Sequence, residues 1–232
     1  MAERDAELFA WSAKEVLTFE RDRVSPIKTG LDLYRLIQSI LSEITWDFDN
    51  EDASSRAVLE TAKDEDAVQE YLAEQFRLRA KDRYHTARES EVAEGNMPDI
   101  VISAVGVPFA VAIEGKHGGK SWSTNSLEDA LRSQLSEDYL RPANRRHGVL
   151  VISNHKRRGW LHPVSKKNIN FADMIAYLRG VAATIASNAV GPISVAVVGI
   201  DALPRRRKRG ARKNKPSPKK KKSKLTRSRV VR

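Results

Sequence analysis

Apolar residues in the first third of the chain recur at helical spacing. Leu8, Phe9, Ala13, Val16 and Leu17 form one set and Leu31, Leu33, Leu36, Ile37, Ile40, Leu41 and Ile44 a second, with Lys28-Thr29-Gly30 between them. Two helices are predicted, forming an N-terminal helical extension over residues 1–60. The polar run Asn50-Glu51-Asp52-Ala53-Ser54-Ser55 separates them from a further helix over about Asp64 to Arg83, whose buried stripe is Val68, Tyr71, Leu72, Gln75, Phe76 and Leu78. The period then shortens to that of strands. His85 to Val92 is predicted as a first core strand leading through Gly95-Asn96 into a hairpin, so that three antiparallel strands result.

The hairpin joins Pro98-Asp99-Ile100-Val101-Ile102-Ser103 to Val111-Ala112-Ile113-Glu114-Gly115-Lys116 through Gly106-Val107-Pro108. A turn centred on Gly106-Val107 puts Asp99 directly opposite Glu114. Opposed Cβ atoms lie about 5 Å apart, and like charges there are destabilising unless something positive sits between them. A divalent cation meets that need. Side chains alternate along a strand, so Lys116 shares the face of Glu114, while Ile100, Ile102, Phe109, Val111 and Ile113 point to the other. The alternative is a solvated face whose Glu114 and Lys116 pair with neighbours.

Beyond the hairpin, His117-Gly118-Gly119-Lys120-Ser121-Trp122 is expected as a mobile loop, too short for a phosphate-cradling P-loop. Lys120 and Trp122 suit a phosphate and an unstacked base, and a plain connector with a packed Trp suits the residues equally well. Without a histidine partner at ligand spacing, His117 is a weak metal candidate. Ser126-Leu127-Glu128-Asp129 resembles a capping box opening a helix with Leu127, Ala130, Leu131, Leu135 and Tyr139 on its apolar side, ended by Pro142. His147 to Ser153 is a continuous apolar run, as expected of a strand covered on both faces. A helix over Asn170 to Ile185, capped by Asn170, and a strand over Ile193 to Ile200 complete the pattern.

The Asp, Glu-x-Lys arrangement, with Pro98 before Asp99, resembles the PD-(D/E)XK nuclease superfamily. The resemblance extends from about Asp66 to Asp201 and implies a restriction-endonuclease-like α/β fold, a central mixed sheet flanked by helices, over residues 61–203. It implies that Asp99 and Glu114 hold Mg²⁺ or Mn²⁺, that the Gly115 carbonyl joins them, and that Lys116 positions or activates the attacking water. Members of this fold often carry a further carboxylate on the preceding helix, which points to Glu70 or Glu74, with Glu70 taken as the candidate ligand. Gln134 followed by Tyr139 resembles a Gln and Tyr motif of exonuclease-like members, but the two stand five positions apart rather than four. On an α-helix that rotates Tyr139 about 140° away from Gln134, so Gln134 is a site candidate and Tyr139 a core residue.

Charge divides the molecule. Residues 205–232 hold 16 Lys and Arg and no acid, leaving 25 basic against 30 acidic side chains in the rest of the 232-residue chain. Such a tail, residues 204–232, is expected to be disordered and to bind phosphate backbones through counterion release; a targeting or solubility segment is the alternative. The absence of cysteine excludes disulfides, thiolate zinc sites and cysteine nucleophiles. No leader or membrane span is apparent, so a soluble cytoplasmic protein is expected, nuclear if the source is eukaryotic. The composite expectation is a metal-dependent nuclease acting on DNA more than RNA, with a homodimer left open. A nucleic-acid-binding or scaffold module of the same fold that does not cleave is the competing reading.

Overall fold

Burial of Leu33, Ile37, Ile40, Leu41, Ile44 and Phe48 makes α1 (Gly30–Asn50) a core helix with one apolar face. In the computed structural model, which describes residues 12–14, 16, 26–50, 54–88, 97–119 and 122–204, that face packs against the central sheet. Helix α1 was expected within an N-terminal helical extension over residues 1–60. Its apolar stripe instead shares one cluster with Ile100, Ile102, Val111, Ile113, Val149 and Val151. Two short elements close this layer, α2 (Ser54–Glu60) and α3 (Glu65–Arg79). Arg56 of α2 donates to the carbonyls of Phe48 and Leu203, tying the start of the fold to its end. The helix expected from Leu8 to Leu17, the stretch from Glu89 to Asn96, Lys120 with Ser121, and the basic tail from Arg205 lie wholly or largely outside the described residues.

Five strands form the sheet: β1 (Tyr84–Arg88), β2 (Ile100–Ala104), β3 (Ala110–His117), β4 (His147–Ser153) and, after a two-stranded hairpin of β5 (Trp160–Leu161) and β6 (Asn168–Ile169), β7 (Ser194–Ile200). Their order is β1-β2-β3-β4-β7. The first three are antiparallel, as anticipated, and β3, β4 and β7 are parallel. Gly106, at φ 77°, turns the β2–β3 hairpin in a conformation that favours glycine. The register pairs Ile100 with Ile113 and Ile102 with Val111, so the turn is centred where the sequence placed it.

The second face of the sheet is covered by α4 (Thr124–Asp129), a π-helical segment that continues it (Ala130–Tyr139), and α5 (Phe171–Asn188). Leu127, Leu131, Leu135 and Tyr139 meet Ala112, Leu150, Ile152, Met174 and Leu178 in this second cluster. The result is an α/β fold with a mixed five-stranded sheet between helical layers, as expected for the restriction-endonuclease-like arrangement. The capping box lies three residues earlier than anticipated, on Ser123 with Ser126. Asn170 caps α5 as expected. Leu78, placed in the buried stripe of α3 from its spacing, is 65% exposed because the helix ends one residue later and leaves the core there. Among the described residues no helix is long and apolar enough to cross a membrane.

Candidate metal centre

Strand β3 is buried along its whole length because helices cover both of its faces. That coverage changes the meaning of its charged residues. Glu114 is 0% exposed, Lys116 5% and Asp99 7%, which rules out the solvated hairpin face. Asp99 stands one residue before β2, opposite Glu114 by continuation of the Ile100–Ile113 pair. Its Oδ2 accepts the Gly115 N–H at 2.7 Å, which fixes the carboxylate at the end of the ladder. Lys116 Nζ lies 2.6 Å from Glu114 Oε1 and 3.6 Å from Glu65 Oε2.

Burial pushes the Glu114 carboxyl up to about 7, and the charge of Asp99 adds to the shift against the opposing pull of Lys116. Burial also disfavours the charge on Lys116, but Glu114, Asp99 and Glu65 outweigh it, and the amine is held above its ordinary value. Lys116 is therefore a firm cation. Neither oxygen of Glu114 has a hydrogen-bond partner of normal geometry; the lysine meets Oε1 as an ion pair. A buried carboxylate in that state, facing a second one, is a costly arrangement without a further positive ligand.

Glu65 is the residue that sequence reasoning missed. It lies in the first turn of α3 beyond the cap Asp64, and its two oxygens face Lys116 and the Trp122 Nε1–H, the latter at 2.7 Å. Glu70, expected as the helix carboxylate, is exposed, as is Glu74. Glu70 stands five positions after Glu65, and on an α-helix that turns it about 140° away. The signal available in the sequence was the position of Glu65 immediately after an N-cap, where the helix enters beside the strand ends. Trp122 packs by its indole N–H and lies 5.0 Å from Lys116 Nζ, so it serves as a wall of the site.

Gln134 and Tyr139 meet after all. The π-helical turn, with i→i+5 bonding, brings positions five apart to one side. Gln134 Nε2 donates to the Tyr139 hydroxyl at 3.3 Å, while the Tyr139 ring is 4% exposed. Among the described residues no hydrogen bond joins Gln134 to Glu114 or Lys116. His117 has a structural part: its Nε2–H donates to the Ala62 carbonyl, its Nδ1 accepts from Gly119, and its ring stacks 4.0 Å from that of His155.

The donor set suits a hard cation that keeps several waters: Mg²⁺ is commonly held by one or two carboxylates plus substrate phosphate. Among the described residues no group of three Asp, Glu or His side chains forms a metal cage. The carboxylates that face one another at this strand end are Asp99 and Glu114, and Asp99 Oδ2 already accepts the Gly115 N–H.

No family model matches the chain, and no curated protein matches it. Among solved structures, one of the restriction endonuclease FokI bound to DNA is similar at 11% identity with a TM-score of 0.33, covering 68% of this chain and 28% of that one. The chain thus spans little more than a quarter of that enzyme's length. Its chemistry has to be read from its own residues.

Proposed function

We propose that this chain is a metal-dependent nuclease that hydrolyses phosphodiester bonds, in DNA more than in RNA. The observation that carries the reading is a fully buried glutamate, Glu114, opposed by Asp99 and joined by Lys116 on one strand end. In this reading Asp99 and Glu114 hold Mg²⁺ or Mn²⁺, with the Gly115 carbonyl as a third oxygen. The ion supplies Lewis acidity toward the phosphoryl oxygen and lowers the pKa of a bound water. Lys116 presents its ammonium to the attacking water and to the negative charge that grows on the phosphate. Glu65 and Trp122 keep that ammonium in place, through the ion pair and the ring beside it. No side-chain nucleophile is required. Gln134 is proposed as a supporting residue of the same layer through its bond to Tyr139.

Incubating the full chain with linear, circular and single-stranded DNA and with RNA, each in Mg²⁺, Mn²⁺ or EDTA, tests the proposal. Cleavage of DNA is expected with the ions and none in EDTA. Asp99→Ala and Glu114→Ala are expected to be folded and inactive, and Lys116→Ala inactive while still gaining thermal stability from the ion. Full activity in EDTA overturns the reading. Binding without cleavage under every condition leaves the non-cleaving module in its place.

A further inference from the structure

We propose that residues 154–168, which carry the β5–β6 hairpin, form a phosphate-gripping surface built into the folded body, separate from the basic tail. Its service to Asp99, Glu114 and Lys116 rests on the nuclease reading above; its affinity for a polynucleotide does not. The segment holds Lys156, Arg157, Arg158, Lys166 and Lys167 and no acidic residue, in a body where acids outnumber bases by five. Lys156, Arg157, Lys166 and Lys167 are exposed, and none is held by an ion pair or side-chain hydrogen bond among the described residues. A polynucleotide backbone is the complement of such a surface, because each phosphate neutralised releases condensed counterions.

Position favours the same partner. Strands β3, β4 and β7 run parallel and in register, with His117 beside Ser153 and Ser153 beside Ile200, so residues following β4 emerge at the edge where Lys116 lies. A chain of contacts then joins hairpin to site. Arg158 stacks 3.7 Å over the Trp160 ring and donates to the Trp122 carbonyl at 2.7 Å, and Trp122 in turn holds the Glu65 that faces Lys116. Beside the hairpin root opens a cleft of about 570 Å³ whose lining includes Arg157, Arg158 and Arg179 and also the acidic Asp49 and Asp201, so the phosphate grip falls to the exposed cations of the hairpin and not to the cleft.

The hairpin is also stiff. His162 Nδ1 accepts the amides of Val164 and Ser165, its own backbone N–H donates to the Lys167 carbonyl, and Lys166 adopts a φ of 55° to close the turn. Cations on a preorganised loop lose less freedom on binding than those on an unstructured tail, and they fix the direction of the strand they hold.

The test compares the full chain with its K156Q/R157Q/K166Q/K167Q variant by fluorescence anisotropy in EDTA, using duplex DNA, single-stranded DNA and RNA of one length, from ~50 to ~200 mM salt. All four side chains are exposed, so the variant's melting temperature should match that of the parent. The tail is identical in both proteins and cancels. The slope of log affinity against log salt is expected to shrink by up to about 3.6 for duplex DNA, or about 2.8 for single strands, and the arm whose loss comes nearest its own ceiling identifies the preferred polynucleotide. Equal affinity and equal slope in all three arms overturn the proposal. If binding depends on the hairpin but nothing is cleaved with Mg²⁺ or Mn²⁺, the surface stands and the nuclease reading falls. If binding and cleavage both survive the four substitutions, the surface falls and the nuclease reading stands.

Discussion

Glu114 is an acid that the fold keeps out of water. Its carboxyl, pushed up to about 7 from an ordinary 4.5, retains a proton in the folded chain across a pH range where the unfolded chain has released it. Folding therefore takes up a proton between about 4.5 and 7, and stability from this residue falls as pH rises through that window. His155 works in the opposite sense: burial and the neighbouring His117 hold it down to about 4, so its contribution falls as pH drops below 6.5. The two trends oppose one another in the parent, and a difference measurement separates them. Glu114→Gln should be more stable than the parent in EDTA by up to about 3 kcal/mol at pH ~8, with the gap closing toward pH ~4. Denaturant midpoints across that range check this. A gap independent of pH would mean that Glu114 titrates alike in the folded and unfolded chains, so that burial does not raise it. With Mg²⁺ or Mn²⁺ present the gap at pH ~8 should narrow or reverse, because only the parent offers the ion a charged ligand.

At the scale of elements, the parallel strand β4 and the π-helical segment are fitted to each other through a glycine. A Cβ on Gly148 would lie 2.9 Å from Leu135 Cδ1 and 3.2 Å from Leu140 Cδ2, so the wide helix rests directly on the strand backbone. Gly148→Ala is expected to cost about 1–3 kcal/mol by overpacking, seen as a lower urea midpoint. Gly180, in the exposed middle of α5, has nothing within 4 Å of the place a methyl group would take, and Gly180→Ala should instead stabilise by about 0.5–1 kcal/mol through helix propensity. Equal effects of the two substitutions would contradict this packing. The spacing of Leu131, Leu135 and Tyr139 at every fourth residue keeps all three in the core, while the wider turn explains why Gln134 and Tyr139 meet.

At the scale of the whole molecule, the excess of positive charge lies apart from the carboxylates in sequence. The 204 leading residues carry a net charge of −5, and the 16 remaining cations lie beyond Pro204. Removal of residues 205–232 should lower affinity for DNA at low salt and flatten its dependence on salt between ~50 and ~200 mM. Turnover at saturating DNA should change little, since a contact equally strong in ground and transition states contributes only to binding. Gel-shift titrations and single-turnover rates measure the two quantities separately. An unchanged salt slope would make the tail a targeting or solubility segment.

Much of this protein was determined by local chemistry that a sequence displays. Alternation of Val and Ile around Gly106 set the hairpin and its register, and with it the opposition of Asp99 and Glu114. The unbroken apolar run from His147 to Ser153 announced a strand covered on both faces. Asn170 marked the start of α5 because a short polar side chain satisfies a free amide there. Other features depended on which elements meet. Glu65 and Glu70 are equivalent by composition, and only the docking angle of α3 on β3 decides that Glu65 faces Lys116. Likewise α1 reads in the sequence as part of an N-terminal extension, and only the assembled sheet makes its stripe the core of one layer. The union of Gln134 with Tyr139 requires a helix pitch that hydrophobic spacing alone does not specify. The burial that raises Glu114 is the clearest case: a strand's own residues set which way a carboxylate points, but water is excluded from it only when helices from distant parts of the chain close over both faces.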